Sequence, residues 1–276
     1  MLRLLLAAGR AVTSRVPWLG GLAHRYGPIC LGVVAKLQGR CRVGGGVFTT
    51  RERFITLAAA GEMLKDTYEI NERWALDAVL DPDLPVIDCG ASLGIVACLV
   101  NRRLTHPEHH VAVEANPDLL PVLARHRAMN GAHFQVLHAA VAYGAAQVDF
   151  NISGNSLAGS LAGRGGRLVT VPAVTLREVA DQYGFEQFGL LCDIEGAEMD
   201  ILRHDEALLV ERARWVIMES HTGLDGHDLS PDVVAWFRAR RFRHVSTGHT
   251  VHAFLGPGAD LPPDRPGFTA QRPPRP

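Results

Sequence analysis

Acidic residues close several short apolar runs in this chain, and their placement is that of a ligand cleft. In Val86-Ile87-Asp88-Cys89-Gly90-Ala91-Ser92-Leu93-Gly94 an apolar run passes straight into Asp-x-Gly-x-x-x-Gly and then into an amphipathic stretch. In such a turn a ligand meets backbone N–H groups at a helix N-terminus, beyond the carboxyl end of the first strand. Gly90 and Gly94 allow the tight turn and the close approach. Glu114 ends the next apolar run 26 residues after Asp88, where an acid accepts hydrogen bonds from a ribose diol. An adenosine-type cofactor is the expectation. Asp88 beside the turn would repel a pyrophosphate and attract an ammonium. Ser92 stands where a nicotinamide fingerprint has its second glycine, and no Walker sequence is present. The charges therefore favour S-adenosylmethionine over NAD, with Asp88, Gly90, Ala91, Ser92, Gly94, Glu114, Ala115 and Asn116 as the donor-binding set.

A second group of acids follows later in the chain. Asp193 closes the apolar run from Gly189, Glu195 lies two residues on, and Glu198 opens a helical stretch. Carboxylates at a cleft mouth are costly unless they bind a cation, a metal or a donor. Glu198 also suits the dipole of its helix. Glu219 ends the run from Trp215, and His221 follows it. A histidine beside an orienting carboxylate is the commonest group that takes a proton from an alcohol. His221, Asp193 and Glu195 are thus the expected catalytic residues, with a rate that rises through the ordinary histidine value of ~6.5. Asp193, Glu195 and Glu219 are the candidate ligands for a divalent metal. His106, His109, His110, His126, His133, His138 and His227 read as surface or loop residues.

The elements that must hold these residues follow from the pattern. Five apolar runs, Pro85 to Cys89, His110 to Glu114, Phe134 to Ala139, Gly189 to Asp193 and Trp215 to Glu219, alternate with helix-like segments Leu93 to Arg103, Pro117 to Asn130, Ala197 to Val210 and Pro231 to Arg241. That alternation predicts an α/β fold with a parallel sheet and helices on both faces. Gln147 to Ile152 and Leu168 to Val174 are expected as extra strands around a Gly/Ser-rich loop, Ser153 to Gly166. Phe242 to Ser246 and Val251 to Leu255 are expected as a terminal antiparallel hairpin. Arg53 to Leu80 has helical spacing.

The chain has 276 residues, 47% hydrophobic and 21% charged, with a net charge of −1. It can bury a core, and its balance excludes a surface built throughout for nucleic acid. Residues 1–50 carry seven Lys/Arg and no Asp or Glu. Residues 1–52 read as a basic, mainly helical appendage, with short helices over Leu4 to Gly20 and Leu31 to Leu37. Residues 53–256 form the main domain, and 257–276 a Pro-rich tail without fixed structure. Leu4, Leu5, Leu6, Val12, Val16 and Trp18 interleave with Arg3, Arg10 and Arg15, which allows peripheral membrane contact. Five cysteines without a CxxC pair, no secretory h-region and no apolar span point to a cytoplasmic protein.

The run Val86 to Gly94, then Val113-Glu114-Ala115-Asn116-Pro117, Thr175-Leu176, Cys192-Asp193-Ile194-Glu195-Gly196-Ala197-Glu198 and Met218-Glu219-Ser220-His221 resembles the FkbM family of S-adenosylmethionine-dependent methyltransferases over about Tyr68 to Leu255. The Asp-x-Glu-Gly-Ala-Glu segment is its most specific part. Cys89 and Ser92 depart from the family's usual residues, and Leu191 stands where a lysine is common. The resemblance implies a class I methyltransferase, Rossmann-like sheet of seven strands with the last antiparallel. It also implies methyl transfer to a hydroxyl of a sugar, glycan or polyketide-like acceptor. Two rival readings are an NAD-dependent oxidoreductase and a non-catalytic, methyltransferase-like binding module.

Overall fold

Alternating burial along Arg40–Val43, with Cys41 and Val43 inside, makes a strand (β1) that pairs antiparallel with Gly46–Thr49 (β2). Gly44 and Gly45 join them at φ 54° and 83°, the left-handed backbone that a two-residue hairpin turn demands. The computed structural model describes residues 29–152, 159–160, 166–222, 226–248 and 250–259. The helix expected over Leu4 to Gly20, most of the Gly/Ser-rich loop and the Pro-rich tail lie outside them. The chain divides into two units, Met1–Tyr68 and Glu69–Pro276, a boundary beyond the Arg53 read from the sequence. The first unit holds a helix over 29–38 (α1), the β1–β2 hairpin and α2 (Leu57–Lys65), whose N-terminus is capped by the Thr56 side chain. The appendage is thus mixed, because alternation in Arg40–Val43 overrides the helical character on either side.

In the second unit α3 spans Ile70–Val79. Residues 53–80 do not form one helix, since Asp66 and Glu69 take φ of 62° and 48° and end the α-helical path. The main sheet is built from β3 (Val86–Cys89), β4 (His110–Glu114) and β5 (Gln135–His138). Between them lie α4 (Ile95–Asn101) and α5 (Leu120–Met129). A smaller sheet follows, of β6 (Ala140–Val141), β7 (Gln147–Ile152), β8 (Gly159–Ser160) and β9 (Arg167–Val174), in the order β6-β9-β7-β8. The two expected extra strands are its β7 and β9. The chain returns through α6 (Leu176–Gln182), started by a reciprocal Thr175–Glu178 capping box, to β10 (Phe188–Cys192). Next come α7 (Glu198–His204), α8 (Glu206–Arg212), β11 (Ala213–Glu219), α9 (Ser230–Ala239) and the hairpin β12 (Arg243–Gly248) and β13 (Val251–Leu255). The stretch expected as one helix from Ala197 breaks at Asp205, whose buried carboxylate accepts from Tyr143 Oη at 2.6 Å and from Arg177 N at 3.3 Å.

The seven strands run in the order β12-β13-β11-β10-β3-β4-β5, and β13 alone runs against the other six. This is the seven-stranded sheet with a reversed last strand that the sequence pointed to. β3, β4 and β10 are buried along their whole length, the condition of strands covered on both faces. On one face Ile87, Val113, Leu190 and Met218 pack with Val179 of α6, Ile201 of α7 and Phe237 of α9. On the other Val86, Leu191, Trp215 and Ile217 pack with Leu76 and Val79 of α3. His110 and His126 are fully buried, a correction to their reading as surface residues. His110 opens a strand that is covered on both sides, and His126 Nδ1 pairs with the Leu93 carbonyl at 2.8 Å. Among the described residues no helix is long and apolar enough to cross a membrane.

Gly189 stands opposite Trp215 in the β10–β11 register, and a Cβ there would lie 1.9 Å from the indole. Gly189→Ala is therefore expected to destabilise the second unit by about 2 to 4 kcal/mol through overpacking. An unchanged thermal unfolding midpoint would show that the sheet can yield there.

Candidate active site

Register brings the site together. Cys89 pairs with Val113 and Cys192, and Cys192 pairs with Met218, so four parallel strands end at one level. The next residue on each is Gly90, Glu114, Asp193 and Glu219. Gly90 has φ 88°, and a Cβ on it would fall 1.7 Å from the Asp193 carbonyl oxygen. Only glycine fits, because the turn after β3 lies against the turn after β10. The Asp193 amide in turn donates to the Cys89 carbonyl at 2.9 Å.

The turn after β3 is internally satisfied. The Gly90 and Ala91 amides both donate to the Val113 carbonyl, and Gly94 donates to the Ala91 carbonyl. Ser92, at φ 50°, donates to Glu114 Oε2 at 2.6 Å, while the Asn116 amide donates to Oε1 at 2.6 Å. Amides used this way do not form the phosphate cradle of a nucleotide fold. The Ala115 amide acts on the same carboxyl, so about one of the roughly four acceptor sites on Glu114 remains for a hydroxyl donor. Burial pushes its carboxyl up to about 7 against these backbone hydrogen bonds. Of the eight expected donor-binding positions, Gly90, Ser92 and Ala115 are partly exposed, whereas Asp88, Ala91, Gly94, Glu114 and Asn116 are buried.

Asp88 sits within β3 rather than at the turn's mouth. Ile87 and Cys89 face one core, so the pleat sends Asp88 to the opposite side. It is 4% exposed there, with Oδ2 4.0 Å from His110 Nε2, and neither atom has a hydrogen-bond partner. Burial and then the charge of Glu114 raise Asp88 to about 7, and burial lowers His110 to about 3. The pair is a buried acid beside a neutral imidazole.

The second acidic group converges on His221. Its Nδ1 is 2.7 Å from Oε1 of Glu198, a side chain with no exposure. Its Nε2 faces Asp193 Oδ1 at 3.5 Å and Glu195 Oε2 at 3.4 Å. Glu195 takes φ 56°, uncommon for a residue with a Cβ. Gly196 donates its amide to Glu198 Oε1 at 3.0 Å. Ser220 fixes the start of the following loop, its amide donating to the Thr250 carbonyl at 2.9 Å and its hydroxyl lying 2.6 Å from that of Ser230. Glu219 accepts from the Thr250 hydroxyl at 2.8 Å. Glu72 of α3, which hydrogen-bonds Glu219, is pushed up to about 10 by burial and by the charges of Glu69 and Glu219. Asp193 is raised well above the usual carboxylate range by burial and Glu219, against the pull of His221; Glu195 is raised as well. Burial alone would lower His221, but the Glu198 hydrogen bond and the charges of Asp193, Glu198 and Glu195 carry it up to about 9.

Two of these residues escaped the sequence reading. Glu198 reads there as a complement to a helix dipole, but it holds the imidazole instead, and Glu72 comes from an element far away in sequence. Asp193, Glu219 and His221 each present one ligand atom within 4.8 Å of the others. One imidazole and two carboxylates suit a divalent cation. A carboxylate on the second imidazole nitrogen is the usual support of a metal-bound histidine, and Asp193 Oδ1 is buried without a hydrogen-bond partner. The donor set thus fits such an ion, with Glu195 beside it. A separate hollow of about 380 Å³, with Tyr143, Asp149, Asp200 and His204 in its wall, shares no lining residue with this cluster.

The state of Asp88 has a consequence for stability. The folded chain keeps its proton up to about pH 7, whereas an ordinary aspartate releases it near 3.8. Stability is thus lost as pH rises across that window. Asp88→Asn cannot ionise and is expected to raise stability at about pH 8 by on the order of 1 to 3 kcal/mol, with little difference at about pH 4. Thermal unfolding at both pH values measures this. An equal loss at both would show that the carboxylate is held ionised.

No curated protein matches the sequence. Among solved structures, similarity extends to a protein of the NADB-Rossmann superfamily from Streptococcus agalactiae at 12% identity, with 66% of this chain and 64% of that chain covered and a TM-score of 0.40. The aligned part is less than two thirds of that protein. It extends also to a precorrin-6y C5,15-methyltransferase from Geobacter metallireducens, at 11% identity, 68% and 89% coverage and a TM-score of 0.42. The N-terminal domain of human METTL16, solved with SAH, aligns at 13% identity, 67% and 68% coverage and a TM-score of 0.37. The methyltransferase FkbM domain matches residues 88–244, more than half of the chain and the whole span from Asp88 to the first strand of the final hairpin. With the glycine turn, the Asp193–Glu198 segment and His221 all inside that match, the chain belongs to the FkbM methyltransferase family.

Proposed function

We propose that the chain transfers a methyl group from S-adenosylmethionine to a hydroxyl oxygen of a sugar, glycan or polyketide-like acceptor, with His221 as the base. The observation that carries this reading is the Glu198–His221 pair, with Nε2 directed at the level where the cofactor turn ends. When bound, S-adenosylmethionine supplies a methyl group on a positively charged sulfur, which an attacking oxygen takes by in-line displacement. Its fit rests on the donor set. Glu114, held by backbone amides, offers its remaining acceptor site beside the partly exposed Gly90, Ser92 and Ala115. The carboxyl groups of Asp193, Glu195 and Glu219 gather on one edge, and burial holds Asp193 and Glu195 above the usual carboxylate range; a cationic ligand without a phosphate would favour their charged form.

In this reading Glu198 holds His221 in the tautomer with its proton on Nδ1. Nε2 is then the acceptor for the hydroxyl proton, and Asp193 and Glu195 stabilise the imidazolium that forms. The partly buried cluster limits water around the acceptor oxygen. A second reading is favoured by the Asp193, Glu219 and His221 trio: these residues would hold a divalent ion, which supplies Lewis acidity toward the same hydroxyl.

Glu114→Ala is expected to weaken donor binding by about 1 to 3 kcal/mol, read by calorimetry, since the ribose hydroxyls lose a charged acceptor; unchanged affinity would remove that role. Mass spectrometry of donor-dependent methylation across sugars, glycans and polyketide alcohols identifies the acceptor. With that acceptor, His221→Ala should lower kcat by roughly 10² to 10⁴. The base acts deprotonated, so kcat/KM should rise with pH through a value of about 9 rather than through the ordinary histidine value. Glu198→Gln removes a charge that raises His221, and should move that limb down. Chelator-resistant activity supports the base reading. Activity abolished by chelator and restored by a divalent ion, with a pH limb unmoved by Glu198→Gln, supports the metal.

A further inference from the structure

Helix α1 of the first unit is turned inside out. Its small residues are its buried ones: Gly32 and Ala35 face inward, and a Cβ on Gly32 would lie 1.9 Å from the Leu57 carbonyl oxygen. Of its five larger apolar residues Leu31 is half-buried and the other four face solvent, with Ile29 43% exposed, Val33 44%, Val34 41% and Leu37 74%. Cys30 is exposed as well. At about 100° per residue these five positions share one arc of roughly 140°, so the exposed apolar surface is a continuous stripe. A protein rarely leaves such a stripe to water without a ligand for it.

Charge decides the occupant. Residues 1–50 contain seven Lys/Arg and no acid. The strand directly after α1 turns Arg40 and Arg42 outward while Cys41 and Val43 are buried. A second copy would set two basic surfaces against each other. An anionic lipid surface takes both features at once, with apolar side chains entering the headgroup boundary and arginines meeting phosphates. We propose that the α1 face, with Arg40 and Arg42 beside it in sequence, docks the chain on an anionic membrane surface, α1 lying in the plane of the interface. The proposal stands apart from the catalytic reading.

The full chain is tested by co-sedimentation with vesicles of phosphatidylglycerol and phosphatidylcholine in equal parts, and with vesicles of phosphatidylcholine alone. Binding is expected to the anionic vesicles, to weaken as salt shortens the reach of the charges, and to be slight on the neutral ones. Val33→Asp with Leu37→Asp should lower the partition coefficient about tenfold or more. Leu168→Asp, at another exposed leucine (64%) in the second unit, should leave it unchanged. Circular dichroism checks that the variants fold. Should the stripe variant fail that check, Arg40→Glu with Arg42→Glu is to weaken binding most at low salt. No binding to anionic vesicles, an equal loss in Leu168→Asp, wild-type binding by the stripe variant, or a concentration-dependent dimer that the stripe variant abolishes without any vesicle binding would each overturn the proposal.

Discussion

The carbonyl oxygen of Asp193 occupies the space that a side chain at position 90 would need. That contact holds the turn after β3 against the turn after β10, and the other features of the site depend on it. With the Asp193 amide bonded to Cys89, the carboxyl ends of β3 and β10 cannot separate. Two acidic clusters, one around Glu114 and one around His221, therefore share one edge. Moving the β10 turn outward by the length of a methyl group would take Asp193 and Glu195 away from the imidazole. In hydrogen-bonded catalysis that distance is the difference between a working group and a bystander.

The edge is electrostatically unbalanced by design of the fold. Asp193, Glu195, Glu198 and Glu219, with Glu72 behind them, surround one imidazole, and burial raises several of the carboxyls. Removal of carboxylates from water is costly unless a cation or a proton compensates. Three compensations are visible: Glu72 retains a proton that it shares with Glu219, His221 is pushed toward its charged form, and backbone amides serve Glu114 and Glu198. A positive ligand on this edge would add to these compensations, whereas a phosphate would oppose them.

Much of this was legible because the signals were local. β3, β4 and β10 are apolar on consecutive residues since both faces are covered, and the acids that follow them mark the carboxyl edge directly. The reversed last strand showed as a hairpin separated by a turn sequence. What escaped notice is tertiary. Nothing in the spacing of Glu198 and His221 reveals that a buried side chain on α7 reaches the loop after β11, and nothing near Glu72 announces Glu219. His110 and His126 are polar residues in buried settings, a choice that only the neighbours explain: for His126, the Leu93 carbonyl. α6 has only seven residues, too few for a periodic pattern, so the Thr175–Glu178 capping box was its one mark.

The Glu198–His221 pair also limits what chemistry the edge can perform. A carboxylate on Nδ1 serves equally to orient a base and to support a metal ligand, so the pair by itself does not choose between them. The surroundings of Nε2 do bear on the choice. Asp193 and Glu195 stand at 3.5 and 3.4 Å, which is too far for strong hydrogen bonds and close enough to stabilise a charged ring. A base gains from that arrangement because the imidazolium formed on proton uptake lies between two carboxylates. In the proposed base mechanism the same carboxylates raise the imidazole's affinity for protons before the acceptor arrives, and a cationic donor bound alongside would offset their charge. In that mechanism donor binding and base readiness are coupled through the carboxylates between them.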